Sequence, residues 1–560
     1  MTLKKLKPGA ANKIVFRAGT KVGYPSAEDD QELLFECFID MGITETLLDL
    51  KSPGSVVVGR TGSGKSAALL NIGEKAENCI QIDPADLALG YISNSNVIAF
   101  FSGLGVNFDL FYRFLWRHVL CVELLNYHYN VRKKGDFERA IETFRDMIGA
   151  NPAKQAALDY LRTWGGQFWE QTQERIKEIV EKFETSLTAG VDLTKIGAPL
   201  NAHASSKVDE TKKTELVHHA TNVVSSIQIR RLSVVMDILA ENIYNDEKRR
   251  TYIIVDRLDD NWVDDKTKLK LIRALLETIK DFKKVRSVKA IVSLRTDLIE
   301  RVFTYTRDPG FQEEKYDAVL VPVRWSKTRL QELIDKRITA VFRKKYTKDN
   351  VAFLDIFEEN YRGNQKTADY IINRTQMRPR DLIAFVNEIF DEVAGRERIT
   401  SRDIERAEIE YSKKRLRALC TEWQVEHPYL ETCIEMLRRQ QSRLDASSFT
   451  AQFLEPTVTK LAMLEPSPDG VVSLCLKHAY GEIDVLAVRN ALLEVLYKTG
   501  AIGIRLRNGE PVHFTYDSSF VFKANDLGED SRVSVSPMLW GALSIVRQRV
   551  KGGVLDGNTE

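Results

Sequence analysis

Three groups of residues in this chain have the types and spacing needed to hold a triphosphate and act on it. The first is Gly59-Arg60-Thr61-Gly62-Ser63-Gly64-Lys65-Ser66, a G-x-x-x-x-G-K-S run directly after the β-branched stretch Ser55-Val56-Val57-Val58. Gly59, Gly62 and Gly64 permit a tight loop whose backbone N–H groups turn inward toward phosphate, and Lys65 then reaches the β- and γ-phosphates. Ser66 is placed to ligate Mg²⁺. Ala67-Ala68-Leu69-Leu70 continues into a helix whose positive end faces the anion. A chance glycine-rich turn is the competing account, but strand, loop and helix follow in the required order.

The second group is the apolar run Thr251-Tyr252-Ile253-Ile254-Val255 ending at Asp256, where a Walker B carboxylate holds the Mg²⁺ shell through Ser66 and water. Asp259 and Asp260 lie just past the strand tip, where one of them can orient or deprotonate the attacking water. Asp260 is the first candidate for that base and Asp259 the second; capping of a following helix is the plainer use of either. The third group is Ala290-Ile291-Val292-Ser293-Leu294-Arg295. It places Arg295 beside the expected γ-phosphate, where its charge would count most in a dry site.

These side chains need a sheet to converge. Runs ending at Val58, Asp83, Asp256, Arg295 and Val323 read as five strands separated by helical periodicity, which predicts a parallel sheet with helices on both faces. From about Asn107 to Arg250 long amphipathic segments form a helical insertion, with a loop rich in small and charged residues over 198–213. The aromatic stripe Phe111, Tyr112, Phe114 and Trp116 has helical spacing and reads as core. His218-His219 has no partner at metal spacing and reads as a solvated face. Residues 327–418 are helical by periodicity. Pro379 sits at the first turn of one helix and aims Arg380, or alternatively Arg378, back at the nucleotide.

Composition bounds the rest. At 560 residues, 43% hydrophobic and 29% charged, the chain reads as a soluble protein of three or four domains at roughly 150 residues each. Lys+Arg 81 against Asp+Glu 79 gives no global pull toward nucleic acid. Six cysteines without C-x-x-C or zinc spacing read as free thiols in a reducing compartment. The basic start, Met1 to Pro8, leads into no apolar segment, so a cytoplasmic protein without membrane partners is expected.

Toward the C-terminus, helices over about 428–497 lead to Gly500. Ile502-Gly503-Ile504-Arg505-Leu506 is predicted to pair with Val512-His513-Phe514-Thr515-Tyr516 across Asn508-Gly509, with Arg532 to Pro537 as a third strand. This pattern reads as a winged-helix-like module. Residues 441–560 carry 12 Lys+Arg against 14 Asp+Glu, so phosphate binding is not favoured there by charge, although Arg505 and Arg507 on the wing are placed to touch a backbone. The expected domains are a lead-in at 1–50 that packs beside the nucleotide base, an α/β P-loop core at 51–325, a helical lid at 326–425, the winged-helix-like module at 426–550 and a tail at 551–560.

Together, Gly59 to Ser66, the Asp256 strand with Leu258-Asp259-Asp260, the Ser293-Leu294-Arg295 strand end and Arg378-Pro379-Arg380-Asp381 resemble the STAND and Orc/Cdc6-like branches of the AAA+ ATPases over roughly residues 10–420. More narrowly, Phe111 to Leu120 and Met377 to Ile383 look like bacterial P-loop ATPases associated with antiphage defence loci. The resemblance implies ATP and Mg²⁺ as cofactors, Arg295 as a first sensor arginine and Arg380 as a second. Asp260 stands where related ATPases carry Glu, one methylene longer, which implies slow turnover. A homo-oligomer is implied, with Arg301 and Arg307 as candidates to act across subunits, as is a separately encoded effector partner gated by the nucleotide. The other implied role is an Orc/Cdc6-like DNA-binding switch or loader that engages nucleic acid through the C-terminal module.

Overall fold

The computed structural model describes residues 15–87, 89–131, 134–149, 152, 155, 158–159, 172–189, 210–226, 229–307, 312–346, 351–464, 470–517, 522–528 and 530–547. The basic start, residues 168–171, most of the 198–213 loop and the 551–560 tail lie outside them. The chain divides into two compact units. One holds residues 40–60 and 65–323; the other holds 15–39, the loop tip 61–64, and 324–547.

The first unit is built on five parallel strands, β1 (Val56–Gly59), β2 (Asn78–Ile82), β3 (Thr251–Val255), β4 (Val288–Arg295) and β5 (Leu320–Pro322), in the spatial order β2-β3-β4-β1-β5. All five runs read from the sequence are present. Val56, Val57, Ile253, Ile291 and Val292 are almost fully buried, which explains why β1, β3 and β4 show unbroken apolar runs instead of alternation: helices cover both faces. Helix Lys65–Lys75 follows β1. Helix Asp265–Phe282 follows β3 and is capped by Asp264, whose side chain accepts the Thr267 N–H at 3.0 Å.

The insertion between β2 and β3 is helical, with helices Asp109–Tyr129, Lys134–Ile148, Thr172–Thr188, Glu210–Ser226 and Ile229–Ile238. Its aromatic stripe is core, as expected. Phe111, Tyr112, Phe114 and Trp116 are buried, Phe111 stacks on Phe183 at 3.9 Å between centroids, and the Trp116 indole donates to Leu271 O at 2.8 Å. The six cysteines are free thiols, four of them buried.

In the second unit, helices Lys327–Lys345, Thr367–Ile372, Pro379–Glu392 and Ser401–Glu422 form a bundle, with a two-stranded ribbon β6 (Asn360–Tyr361) and β7 (Gln365–Lys366). The lead-in packs here: Phe16 lies against Phe342 and Phe390, and Asp30 forms a buried ion pair with Arg337 at 2.6 Å. Between two of the helices, Gln376 and Met377 both take left-handed backbone angles, φ 47° and 55°. The Gln376 side chain is buried and donates to Gly500 O at 2.9 Å.

Helices Leu430–Glu435, Ala451–Ala462, Gly470–Ala479 and Val485–Lys498 then lead to a small antiparallel sheet. Its order is β8 (Arg443–Asp445), β10 (Arg532–Val535), β9 (Ile502–Arg505). The expected hairpin is reduced to one bridge, Ile504 to His513, with hydrogen bonds of 2.9 and 2.8 Å. Residues Thr515–Asp517 turn into a 3₁₀ segment, so the main partner of β9 is β10. Strand β8 carries no sequence signal, because three residues with no β-branched member are too few for a period to show.

Candidate nucleotide site

Strand register brings the acidic and basic candidates of the first unit together. Gly59 at the end of β1 pairs with Arg295 at the end of β4, and Val255 pairs with Val292, which sets Asp256 beside Ser293. Ser293 donates its hydroxyl to Asp256 Oδ1, and the Arg257 N–H donates to the same oxygen at 2.9 Å. Arg257 adopts a left-handed φ of 61° to do so, a cost that a constrained turn at a functional strand tip accommodates.

Lys65 begins the helix after β1, and its ammonium donates to Arg60 O at 3.3 Å. Burial lowers its pKa from the ordinary lysine value; the charges that raise it again are, in order, those of Asp259 and Asp256, while Arg295 opposes them. Asp260 takes another direction. It forms an ion pair with Arg257 at 2.9 Å, and Arg257 also binds Asp83 at 2.8 Å. Partial burial raises the Asp260 pKa, and Arg257 partly offsets that effect. Asp259, the second sequence candidate, is therefore the carboxylate whose field acts most strongly on Lys65.

Arg295 is held by Asp297 through two bonds, Nε to Oδ1 at 3.0 Å and Nη2 to Oδ2 at 2.8 Å. Arg301 is ion-paired with Asp265, and Arg307 is exposed. Ser293 and Asp297 were not singled out as site residues from sequence. The signal for Ser293 was a polar side chain inside an otherwise apolar strand; Asp297, two residues beyond an arginine, gave none.

The loop tip has the backbone its glycines predict, with φ of 76° at Gly62 and 94° at Gly64. The Trp325 indole donates to Ser63 O at 2.7 Å, a contact nothing in the sequence announced. The Arg380 N–H lies 3.4 Å from Gly62 O. A Cβ at Gly62 would lie 3.0 Å from Arg380 Cβ, and the φ of 76° already strains any other residue there, so both crowding and backbone favour glycine. Arg378 is not available for a ligand, because it is buried and ion-paired with Glu422 at 3.1 Å. Arg380 is half-buried.

The residues present fit a magnesium triphosphate. Thr61 Oγ1 and Ser63 Oγ are buried with no hydrogen-bond partner among the described residues, which is costly unless a ligand supplies one. Ser66 and Asp256 are the hard oxygen donors that Mg²⁺ prefers, and Lys65 with the backbone N–H groups of Arg60 to Ser66 would face phosphate oxygens. Such a ligand supplies a transferable γ-phosphoryl group.

A parallel sheet with a glycine loop after β1, an acidic tip on β3 and a polar, arginine-ended β4 defines a P-loop nucleotide-binding fold. Residues 328–420 match the family described as the FunZ-associated C-terminal helical domain. The chain is 22% identical over 550 residues to a putative transposon gamma-delta 80.3 kDa protein of Escherichia coli K12, covering 94% of this chain and 67% of that protein. Among solved structures, a Walker-type ATPase of Pyrococcus abyssi aligns with TM-score 0.37 and 13% identity over 93% of this chain and 98% of that one. Cdc6p of Pyrobaculum aerophilum aligns with TM-score 0.26 and 11% identity over 90% and 89%, and Drosophila ORC bound to DNA with 0.23 and 10% over 97% and 95%. No helix among the described residues is long and apolar enough to cross a membrane.

Proposed function

We propose that this protein is a Mg²⁺-dependent ATPase that works as a molecular switch. The observation that carries this reading is the desolvated Lys65 ammonium at the phosphate loop, acted on by Asp259 and Asp256, with Asp256 held in place by Ser293 and the Arg257 N–H. In this reading Lys65 neutralises the β- and γ-phosphates, Ser66 and Asp256 hold the metal, and Arg295 leaves Asp297 for the γ-phosphate. Arg380 acts as the second sensor. The water is oriented by Asp259, because Asp260 is engaged by Arg257. Phosphate release from Mg-ATP by the purified chain tests the proposal: Lys65→Ala should abolish it, and unchanged release in that variant would refute the enzyme.

The switch is proposed to oligomerise and to gate a separately encoded effector in bacterial antiviral defence, on the strength of the sequence resemblance given above. Phage challenge of cells carrying the locus, with wild type or Lys65→Ala, tests that role; equal protection by both removes it. One observation favours the DNA-binding alternative. Arg505 pairs directly with Arg532 across β9 and β10, and burial, Arg532 and Arg443 lower the Arg505 pKa, with Asp445, which also binds Arg532 at 2.8 Å, and Asp530 opposing in part. Like charges crowded on one sheet are relieved by phosphate. Steeply salt-dependent duplex binding, weakened by Arg505→Ala, would select this alternative, and its relative's description as a transposon protein accords with it.

A further inference from the structure

The strands of the sheet have a second end. Where β1, β3 and β4 begin, the first unit holds a partly open pocket of about 440 Å³. Five cations line it, Lys51, Arg250, Lys283, Arg286 and Lys289, against two acids, Asp49 and Glu247. They come from separate segments: the approach to β1, the residue before β3, and the turn and first residues of β4. Attraction to one helix C-terminus explains Lys283, which follows helix Asp265–Phe282, but not the convergence of the other four.

Of the five cations only Lys289 is buried. Its ammonium donates to Thr46 O at 2.9 Å and Asp49 O at 2.7 Å. An ammonium has three N–H donors, so one is left without a partner among the described residues. Burial pushes the Lys289 pKa down to about 8, Asp49 opposing and Lys283 adding to the effect. Among the described residues Lys51, Lys283 and Arg286 form no ion pair. A concave surface with a surplus of cations over apolar walls focuses its field into the pocket and concentrates anions there. Phe282 and Ile279 supply those walls.

We propose that this cavity is a second anion site, separate from the phosphate loop, that takes a small phosphate-bearing ligand with an apolar body. The phosphate is met by Lys289 and the rim cations, and the uncharged body lies on Phe282 and Ile279. The concave shape favours a small molecule over a polymer: a duplex needs a long track of cations, whereas here they converge on one pocket.

Calorimetric titration of the full chain with phenyl phosphate and with inorganic phosphate tests this. Wild type and Lys65→Ala should bind phenyl phosphate alike and more tightly than inorganic phosphate. Lys283→Ala/Arg286→Ala, which alters only exposed rim side chains, should weaken phenyl phosphate at least tenfold while leaving ATP hydrolysis unchanged. Absence of phenyl phosphate binding at millimolar concentration, binding lost in Lys65→Ala but kept in the rim variant, or a duplex oligonucleotide bound in preference and released by the rim variant would each overturn the proposal. Because hydrolysis is read separately, failure here leaves the ATPase reading standing, and failure of hydrolysis leaves this one standing.

Discussion

Ser293 donates its hydroxyl hydrogen to Asp256, one strand away at the same level of the sheet. The pair fixes the carboxylate before any metal arrives, and the Arg257 N–H completes its hold on the same oxygen. Ser293→Ala removes a charge-assisted hydrogen bond without removing a metal ligand. ATP affinity is expected to stay within about threefold while turnover falls about tenfold, equivalent to about 1.4 kcal/mol on the barrier. Steady-state phosphate release beside equilibrium nucleotide binding would show it; equal losses in both would mean that Ser293 serves binding instead.

The two aspartates beyond β3 separate by partner. Asp260→Asn should retain most turnover and loosen the Arg257 turn, because its carboxylate is spent on Arg257. Asp259→Asn should lose turnover by about a hundredfold, in the range of a general base. The opposite ranking would return the role to Asp260, the residue preferred on position alone.

Arg295 is expected to distinguish triphosphate from diphosphate. Its bidentate bond to Asp297 holds it at the end of β4, and in the proposed reading a γ-phosphate takes the place of that carboxylate. Arg295→Ala should cut hydrolysis by about a hundredfold and leave ADP affinity unchanged. Should ADP binding fall as far as ATP binding, the residue is not a γ-phosphate sensor.

The buried Lys289 predicts a pH dependence of stability. Its folded pKa of about 8 lies below the ordinary 10.5, so between these values the unfolded chain binds more protons than the folded one. Stability should therefore rise with pH across that window, the penalty being complete below about pH 8. The gain is on the order of 3 kcal/mol at most. Urea unfolding of wild type and Lys289→Met at pH 7.5 and 10 measures it: the rise should be present in wild type and absent in the variant, and parallel behaviour of the two would contradict the assignment.

What the sequence disclosed followed from how local each signal was. The octet Gly59 to Ser66 and the strand ending at Asp256 announce themselves because their chemistry depends on neighbours in the chain. All five core strands were legible for the same reason: buried apolar runs bounded by polar turns. The spatial order was not, since β1 lies between β4 and β5 through contacts more than two hundred residues apart in sequence. The choice between Asp259 and Asp260 was equally closed, because it depends on Arg257 turning left-handed to collect Asp260 and Asp83. Sequence offers Arg380 first and Arg378 as its alternative, and only the fold shows that Glu422, forty-four residues on, takes up Arg378.

Gln376 and Met377 stand two and one residues before Arg378, in backbone angles that ordinary side chains avoid. Each costs on the order of 1–3 kcal/mol and persists only while its surroundings insist on it. Part of that insistence is the bond from Gln376 to the Gly500 carbonyl, at the turn that opens β9. The Gly500 carbonyl is thereby tied to the turn that precedes Pro379, so a change at the start of β9 is carried by one hydrogen bond to the start of the helix Pro379–Glu392.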